Sequence, residues 1–131
     1  MKVKDVMISK ENFPVVNDKT ILKEALTEMD DSNLGLVCIV NSEQCLLGII
    51  TDGDLRRKLL RVQKPFSAFF IDDVLLHANI SPIICNPDDD LDKIVKLMGD
   101  RKIWDLPVVD KESTLVGLLH LHPAVKKLLN F

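Results

Sequence analysis

Aromatic residues are scarce in this chain: five Phe, one Trp and no Tyr among 131 residues. A row of stacking platforms for single-stranded nucleic acid is therefore not available. Positive charge is not in excess either. The formal net charge is −3 with 28% charged residues, whereas binding a phosphate backbone calls for a strongly basic face. No apolar run approaches the ~20 residues of a membrane span, and the stretch from Leu34 to Val40 is interrupted by Gly35. The start, Met1-Lys2-Val3-Lys4-Asp5, has no apolar segment after its lysines, so a secretory signal is not expected. The three cysteines, Cys38, Cys45 and Cys85, show no CxxC spacing. That excludes a zinc ribbon, speaks against a disulfide framework and favours a reducing compartment. Neither nucleic acid nor membrane is expected as a partner, and a cytoplasmic location is. Walker, GxGxxG and HExxH motifs are missing, as is a nucleophile paired with a base, so no self-contained catalysis is expected.

What is present is an internal repeat, to be sought before local detail. Sliding the sequence along itself without a gap places Asn17 on Asn86, Leu22 on Leu91, Met29 on Met98, Val40 on Val109, Leu46 on Leu115 and Gly48 on Gly117. Lys58-Leu59-Leu60 falls on Lys127-Leu128-Leu129. Each half opens with a short β-prone run, Pro14-Val15-Val16 or Pro82-Ile83-Ile84. Apolar residues at helical spacing follow, Ile21 to Met29 and Leu91 to Met98, with Thr20 and Asp89 as expected caps. Two apolar runs around a polar turn come next: Leu36–Val40 and Leu46–Ile50, then Leu106–Val109 and Leu115–His120. A helix near Leu55–Leu60 or Ala124–Leu129 ends each half. The unit is β-α-β-β-α, written twice. About 60 residues make a marginal core, so the halves are expected to pack together. Between them, Val62 to Phe70 carries Pro65, Phe66, Phe69 and Phe70 and reads as a connector whose rings dock on the core.

Several groups carry chemistry, each with a plainer alternative. Thr51 and Asp54 sit where a strand ends and a helix begins. They suit a phosphate and a ribose, with Gly53 allowing close approach, and they equally suit a capping box. Asp52 beside Asp54 is a carboxylate pair with nothing placed opposite. Arg56, Arg57, Lys58 and Arg61 are anion contacts or a solvated helix face near a C-terminal dipole. His120 and His122, two apart, point the same way on a strand. They contact an anion or an attached domain, or only face solvent. Asp88-Asp89-Asp90 with Asp92 lacks EF-hand features and reads as a helix start. Trp104 reads as packing or interface. No metal or tightly bound cofactor is expected.

The run Leu46-Leu47-Gly48-Ile49-Ile50-Thr51-Asp52-Gly53-Asp54-Leu55-Arg56-Arg57 resembles the last strand and helix start of a CBS domain. Leu106-Pro107-Val108-Val109-Asp110 with Leu115-Val116-Gly117 looks like a second copy, and Asp5-Val6-Met7 and Asp73-Val74-Leu75 resemble the family's lead-in. The resemblance implies an α+β fold of two β-α-β-β-α repeats packed face to face with pseudo-twofold symmetry. The repeats would span 1–61 and 72–131, with a connector at 62–71. Ser32-Asn33-Leu34-Gly35-Leu36, Thr51 to Arg57, and Gly117 to His122 are similar to the C-terminal CBS pair of bacterial arabinose-5-phosphate isomerases. Sugar nucleotidyltransferases share the Asp-Gly-Asp-Leu-Arg-Arg run but match the His-Leu-His end less well.

The resemblance implies a regulatory ligand-sensing module that binds a nucleotide or CMP-sugar. Thr51, Asp52, Gly53, Asp54, Arg56 and Arg57 would be the ligand contacts, joined by His120 and His122. It implies a homodimer through the helices and an attached or separate sugar-isomerase (SIS) domain serving Kdo synthesis. A ligand-free oligomerisation module is the alternative. In the second copy His120 and Pro123 stand where Thr51 and Asp54 stand in the first, which removes the ribose and phosphate contacts there.

Overall fold

The computed structural model describes residues 1–130. The chain divides into two compact units. One contains Phe13–Pro82, and the other joins Met1–Asn12 to the chain from Ile83 onward. The sequence repeats, drawn at 1–61 and 72–131, are therefore not the compact units. Each repeat's lead-in packs on the opposite repeat's sheet.

The first unit contains β1 (Val15–Asn17), α1 (Leu22–Ser32), β2 (Leu36–Val40), β3 (Leu46–Thr51), α2 (Asp52–Arg61) and the short α3 (Phe66–Phe70). β1 runs parallel to β2, and β2 antiparallel to β3, giving the order β1-β2-β3. β2 is buried along its whole length, as expected of a central strand of β-branched and apolar residues. α1 lays Leu22, Ala25 and Met29 on the core formed by Val37, Ile39, Ile50, Phe69 and Val74. The connector does dock, but selectively: Phe69 is fully buried, whereas Phe66 is 56% exposed.

The second unit holds α4 (Leu91–Arg101), β4 (Asp105–Val109), β5 (Leu115–His120) and α5 (Leu121–Leu128). Its sheet has two strands where the first unit has three. The run Pro82-Ile83-Ile84, expected as a strand, shrinks to one parallel bridge between Cys85 and Val108. The reason lies on the neighbouring strand. In the first unit the Cys38 N–H donates to the Pro14 carbonyl at 3.1 Å. The residue equivalent to Cys38 is Pro107, which has no N–H to give.

The expected caps Thr20 and Asp89 do not cap. The N-cap residues are Ile21 and Asp90, neither with a side-chain cap bond. Backbone from the lead-ins does the work instead. Leu22 N–H donates to the Asp72 carbonyl at 2.8 Å, and Leu91 N–H to the Met1 carbonyl at 2.9 Å. These bonds satisfy helix-start donors that otherwise lack partners. The lead-ins then form bridges alongside β3 and β5, Asn79 with Ile49 and Ile8 with Leu118. The backbone pairing aligns Val3 with Val74, both fully buried, rather than Val6 with Val74 as the sequence resemblance has it. The repeat glycines make room for this crossing strand. A Cβ at Gly48 would lie 2.8 Å from the Asn79 carbonyl, and one at Gly117 would lie 2.6 Å from Met7 Sδ and 3.0 Å from the Ile8 carbonyl.

Candidate functional site

The β3–α2 junction forms because Thr51 is extended (φ −114°, ψ 166°) and the next residues are helical. The Asp54 N–H donates to Thr51 Oγ1, and the Thr51 N–H donates to Asp54 Oδ2, both at 3.1 Å. This is a complete capping box. The remaining carboxylate oxygen, Asp54 Oδ1, accepts from Arg57 Nη2 at 2.9 Å. Thr51, Asp54 and Arg57 are thus brought into one bonded cluster with Gly53 inside the turn, where a Cβ would lie 3.2 Å from the Arg57 guanidinium. The capping role and a ligand role share the same two side chains.

Other expected site residues are placed elsewhere. Asp52 borders a separate open cavity of about 390 Å³, with Leu26, Met29, Asp30 and Leu55. Arg56 is exposed and makes no ion pair among the described residues. His120 and His122 do not share a strand face, because β5 stops at His120 and His122 lies in the first turn of α5. His120 Nδ1 pairs with Asp105 Oδ1 at 2.7 Å, whereas His122 is exposed. Pro123 sits in the same first turn, where its missing N–H costs nothing. The acidic cluster is absorbed by the lead-in: Asp90 pairs with Lys2 at 2.8 Å and Asp88 with Lys4 at 3.0 Å. Those lysines hold both carboxyls below their ordinary range. No cluster of metal-binding side chains occurs among the described residues. Trp104 is 71% exposed and so does not pack in the core. Burial pushes the Cys85 thiol up to about 12, which removes it as a nucleophile near neutral pH.

The sequence reading missed a second cleft of about 180 Å³ beside the capping box. It lies between α2, which supplies Asp54, Arg57, Lys58 and Arg61, and the lead-in residues His77 to Asn79. His77 Nε2 lies 2.9 Å from Asp72 Oδ2, which also accepts from Lys64 Nζ at 2.6 Å. Lys64 first, then His77, holds the Asp72 carboxyl below its ordinary range. The His77 ring stands against Phe69 with centroids 4.6 Å apart, and its Nδ1 is buried without a hydrogen-bond partner. Nothing in the local pattern around His77 signals this, because the contact depends on where the lead-in crosses β3.

The CBS domain family model matches residues 3–61 and 71–122. The chain belongs to the CBS domain family. It is 36% identical over 129 residues to arabinose 5-phosphate isomerase KdsD of Pseudomonas aeruginosa, covering 96% of this chain and 37% of that protein. An uncharacterized protein of Chlamydia trachomatis is 33% identical over 124 residues, covering 92% of this chain and 37% of its own length. The chain thus spans little more than a third of the length of these curated relatives. Among solved structures, CBSX2 of Arabidopsis thaliana in complex with AMP superposes with a TM-score of 0.85 at 26% identity, covering 98% of this chain and 96% of that one. An acetoin utilization protein (AcuB) from Vibrio cholerae gives 0.84 at 25% identity, covering 99% and 91%. As a CBS pair, the chain is a ligand-binding regulatory module rather than a catalytic unit. No helix among the described residues is long and apolar enough to cross a membrane.

Proposed function

We propose that this CBS pair senses a nucleotide or nucleotide-sugar, CMP-Kdo or an adenine nucleotide, as the regulatory part of an arabinose-5-phosphate isomerase in cytoplasmic Kdo synthesis. The observation that carries it is the Thr51–Asp54–Arg57 cluster at the β3–α2 junction, in a chain 96% covered by its match to KdsD. Ribose hydroxyls would displace Arg57 from Asp54 Oδ1, and the freed guanidinium would face the ligand's phosphate or carboxylate. Regulation then follows if the ligand prefers one geometry of the pair over another. The AMP complex of CBSX2 supports an adenine nucleotide. The KdsD relatives support a late product of the route that such an enzyme begins.

A thermal-shift comparison of CMP-Kdo, CMP, AMP and ATP tests this. A ligand at a hundred times its dissociation constant stabilises by about 2.7 kcal/mol, a rise on the order of 10 °C. A rise with AMP or ATP and none with the cytidine compounds would sink the CMP-sugar form, and no rise at all would sink ligand sensing. The second reading is then an oligomerisation module. Its support is that both Asp54 oxygens are already engaged and that the equivalent residues Leu60 and Leu129 are 81% and 57% exposed. We infer a homodimer through the helices under either reading. Light scattering that gives a 14.8 kDa particle at micromolar concentration would overturn it.

A further inference from the structure

We propose that the open cavity between α1 and the start of α2 receives Trp104 of a second copy of this chain, with Lys102 of that copy set against Asp30 and Asp52. The proposal rests on the homodimer inferred above and names the contact that builds it.

The two repeats carry opposite halves of such a contact at equivalent places. The Asp52 N–H donates to the Gly35 carbonyl at 3.0 Å, and the Leu121 N–H donates to the Trp104 carbonyl at 2.9 Å. Two residues before these carbonyls, Asn33 and Lys102 are both left-handed helix caps at φ 57°. Gly35 therefore stands where Trp104 stands in the other repeat. A Cβ at Gly35 would lie 2.6 Å from Asp52 Oδ2, so a side chain there would close against the carboxylate. Its absence leaves a cavity of about 390 Å³, walled by Leu26, Met29 and Leu55 with Asp30 and Asp52 at its border. Trp104, by contrast, is 71% exposed. An indole that finds a pocket buries about 150–250 Å², and Trp is enriched among the residues that carry interface energy.

Charge selects the partner. Asp30 and Asp52 are exposed and make no ion pair among the described residues, and the same holds for Arg101 and Lys102. α1 carries Lys23 against Glu24, Glu28, Asp30 and Asp31, whereas α4 carries Lys93, Lys96 and Arg101 against Asp92 and Asp100. Two copies meeting through their α1 helices would bring like charges together. An α1 meeting the α4 of another copy pairs opposite ones. In a twofold pair the contact is made twice, Trp104 of each copy entering the cavity of the other.

Sedimentation velocity of the whole chain over a concentration series, read together with tryptophan emission, tests the proposal. Trp104 is the only Trp in the chain, so the emission reports its surroundings alone. Wild type should dimerise, with the emission moving to shorter wavelength as the dimer forms. Trp104→Ala should raise the dimer dissociation constant at least about tenfold. Asp30→Lys and Lys102→Glu should each raise it at least about threefold. The double variant should recover most of that loss, because each exchanged charge again meets its opposite. Lys111→Glu, on the second hairpin turn, should change it less than about twofold. A wild-type dimer that Trp104→Ala leaves intact, an emission that does not move, or a double variant no tighter than the single ones overturns the contact and leaves the homodimer standing. A wild type that stays monomeric overturns both. All four substituted residues are exposed, so the variants are expected to fold, and far-ultraviolet circular dichroism verifies it.

Discussion

The two repeats build the same hairpin and part company at the turn that follows it. In the first hairpin Asn41 Oδ1 accepts from the N–H groups of Glu43 and Cys45, and Gln44 is left-handed at φ 67°. In the second, Asp110 Oδ1 accepts from Glu112 and Thr114, and Ser113 is left-handed at φ 66°. Both carry a bulge at the same place, after Ile39 and after Val108. Then the first ends in Thr51 with a full capping box, and the second in His120 with no side-chain cap. The scaffold tolerates wide change at this junction, and the second repeat keeps a base, Lys126, at the Arg57 position but neither Thr51 nor Asp54. On the proposed reading, the ribose contact would then be confined to the first repeat.

Removing the ring that anchors the connector should break the comparison most severely. Phe69→Ala empties a fully buried site, and such truncations cost about 3–5 kcal/mol. A urea midpoint close to wild type would mean that the connector is not part of the first unit's core. The repeat glycines sharpen the contrast. Alanine at Gly48 meets the Asn79 carbonyl at 2.8 Å, and alanine at Gly117 meets the flexible Met7 side chain and, at 3.0 Å, the Ile8 carbonyl. Gly48→Ala should therefore cost about 1–3 kcal/mol, and Gly117→Ala somewhat less. Wild-type midpoints in chemical denaturation for both variants would contradict the lead-in crossing as described.

At the junction itself, Thr51→Ala should lose about 1 kcal/mol as a cap. His120→Ala forfeits no cap bond, so any loss there must come through Asp105, and a double-mutant cycle with Asp105→Asn reads that pairing directly. The smallest effect is acid sensitivity. Asp72 in the first unit and Asp88 and Asp90 in the second have carboxyls held below the ordinary carboxylate range by lysines, with His77 adding to the effect at Asp72. A depressed carboxylate stabilises the fold fully above its unfolded pKa and loses that contribution as pH falls through the folded value. Stability should thus be flat through neutrality and fall below about pH 4. Asp72→Asn should lessen that fall, and an acid melting profile identical to wild type would remove Asp72 from the account.

The repeat, the strand and helix order and the hairpin turns were legible because they rest on local pattern. Apolar phase, an Asn or Asp opening a turn, and Thr three residues before Asp are short-range signals. Three expectations failed, the first two for long-range reasons. Thr20 and Asp89 do not cap, because distant lead-in carbonyls reach the helix starts first. The strand at Pro82 is lost because Pro107 offers no N–H to receive it. His120 and His122 separate because the helix begins one residue after the first of them.

The sequence by itself determined that the chain is a doubled β-α-β-β-α unit with one intact Thr51–Asp54 motif. It could do so because side-chain periodicity and turn chemistry act over a few residues. Only the tertiary structure decided which lead-in lies on which sheet, and with it the meeting of His77 with Asp72, Phe69 and the α2 cations. The lead-in pairings, Ile8 with Leu118 above all, join residues far apart in the chain. They are selected by the space that Gly48 leaves and by backbone donors in need of partners, and neither leaves a mark in local sequence.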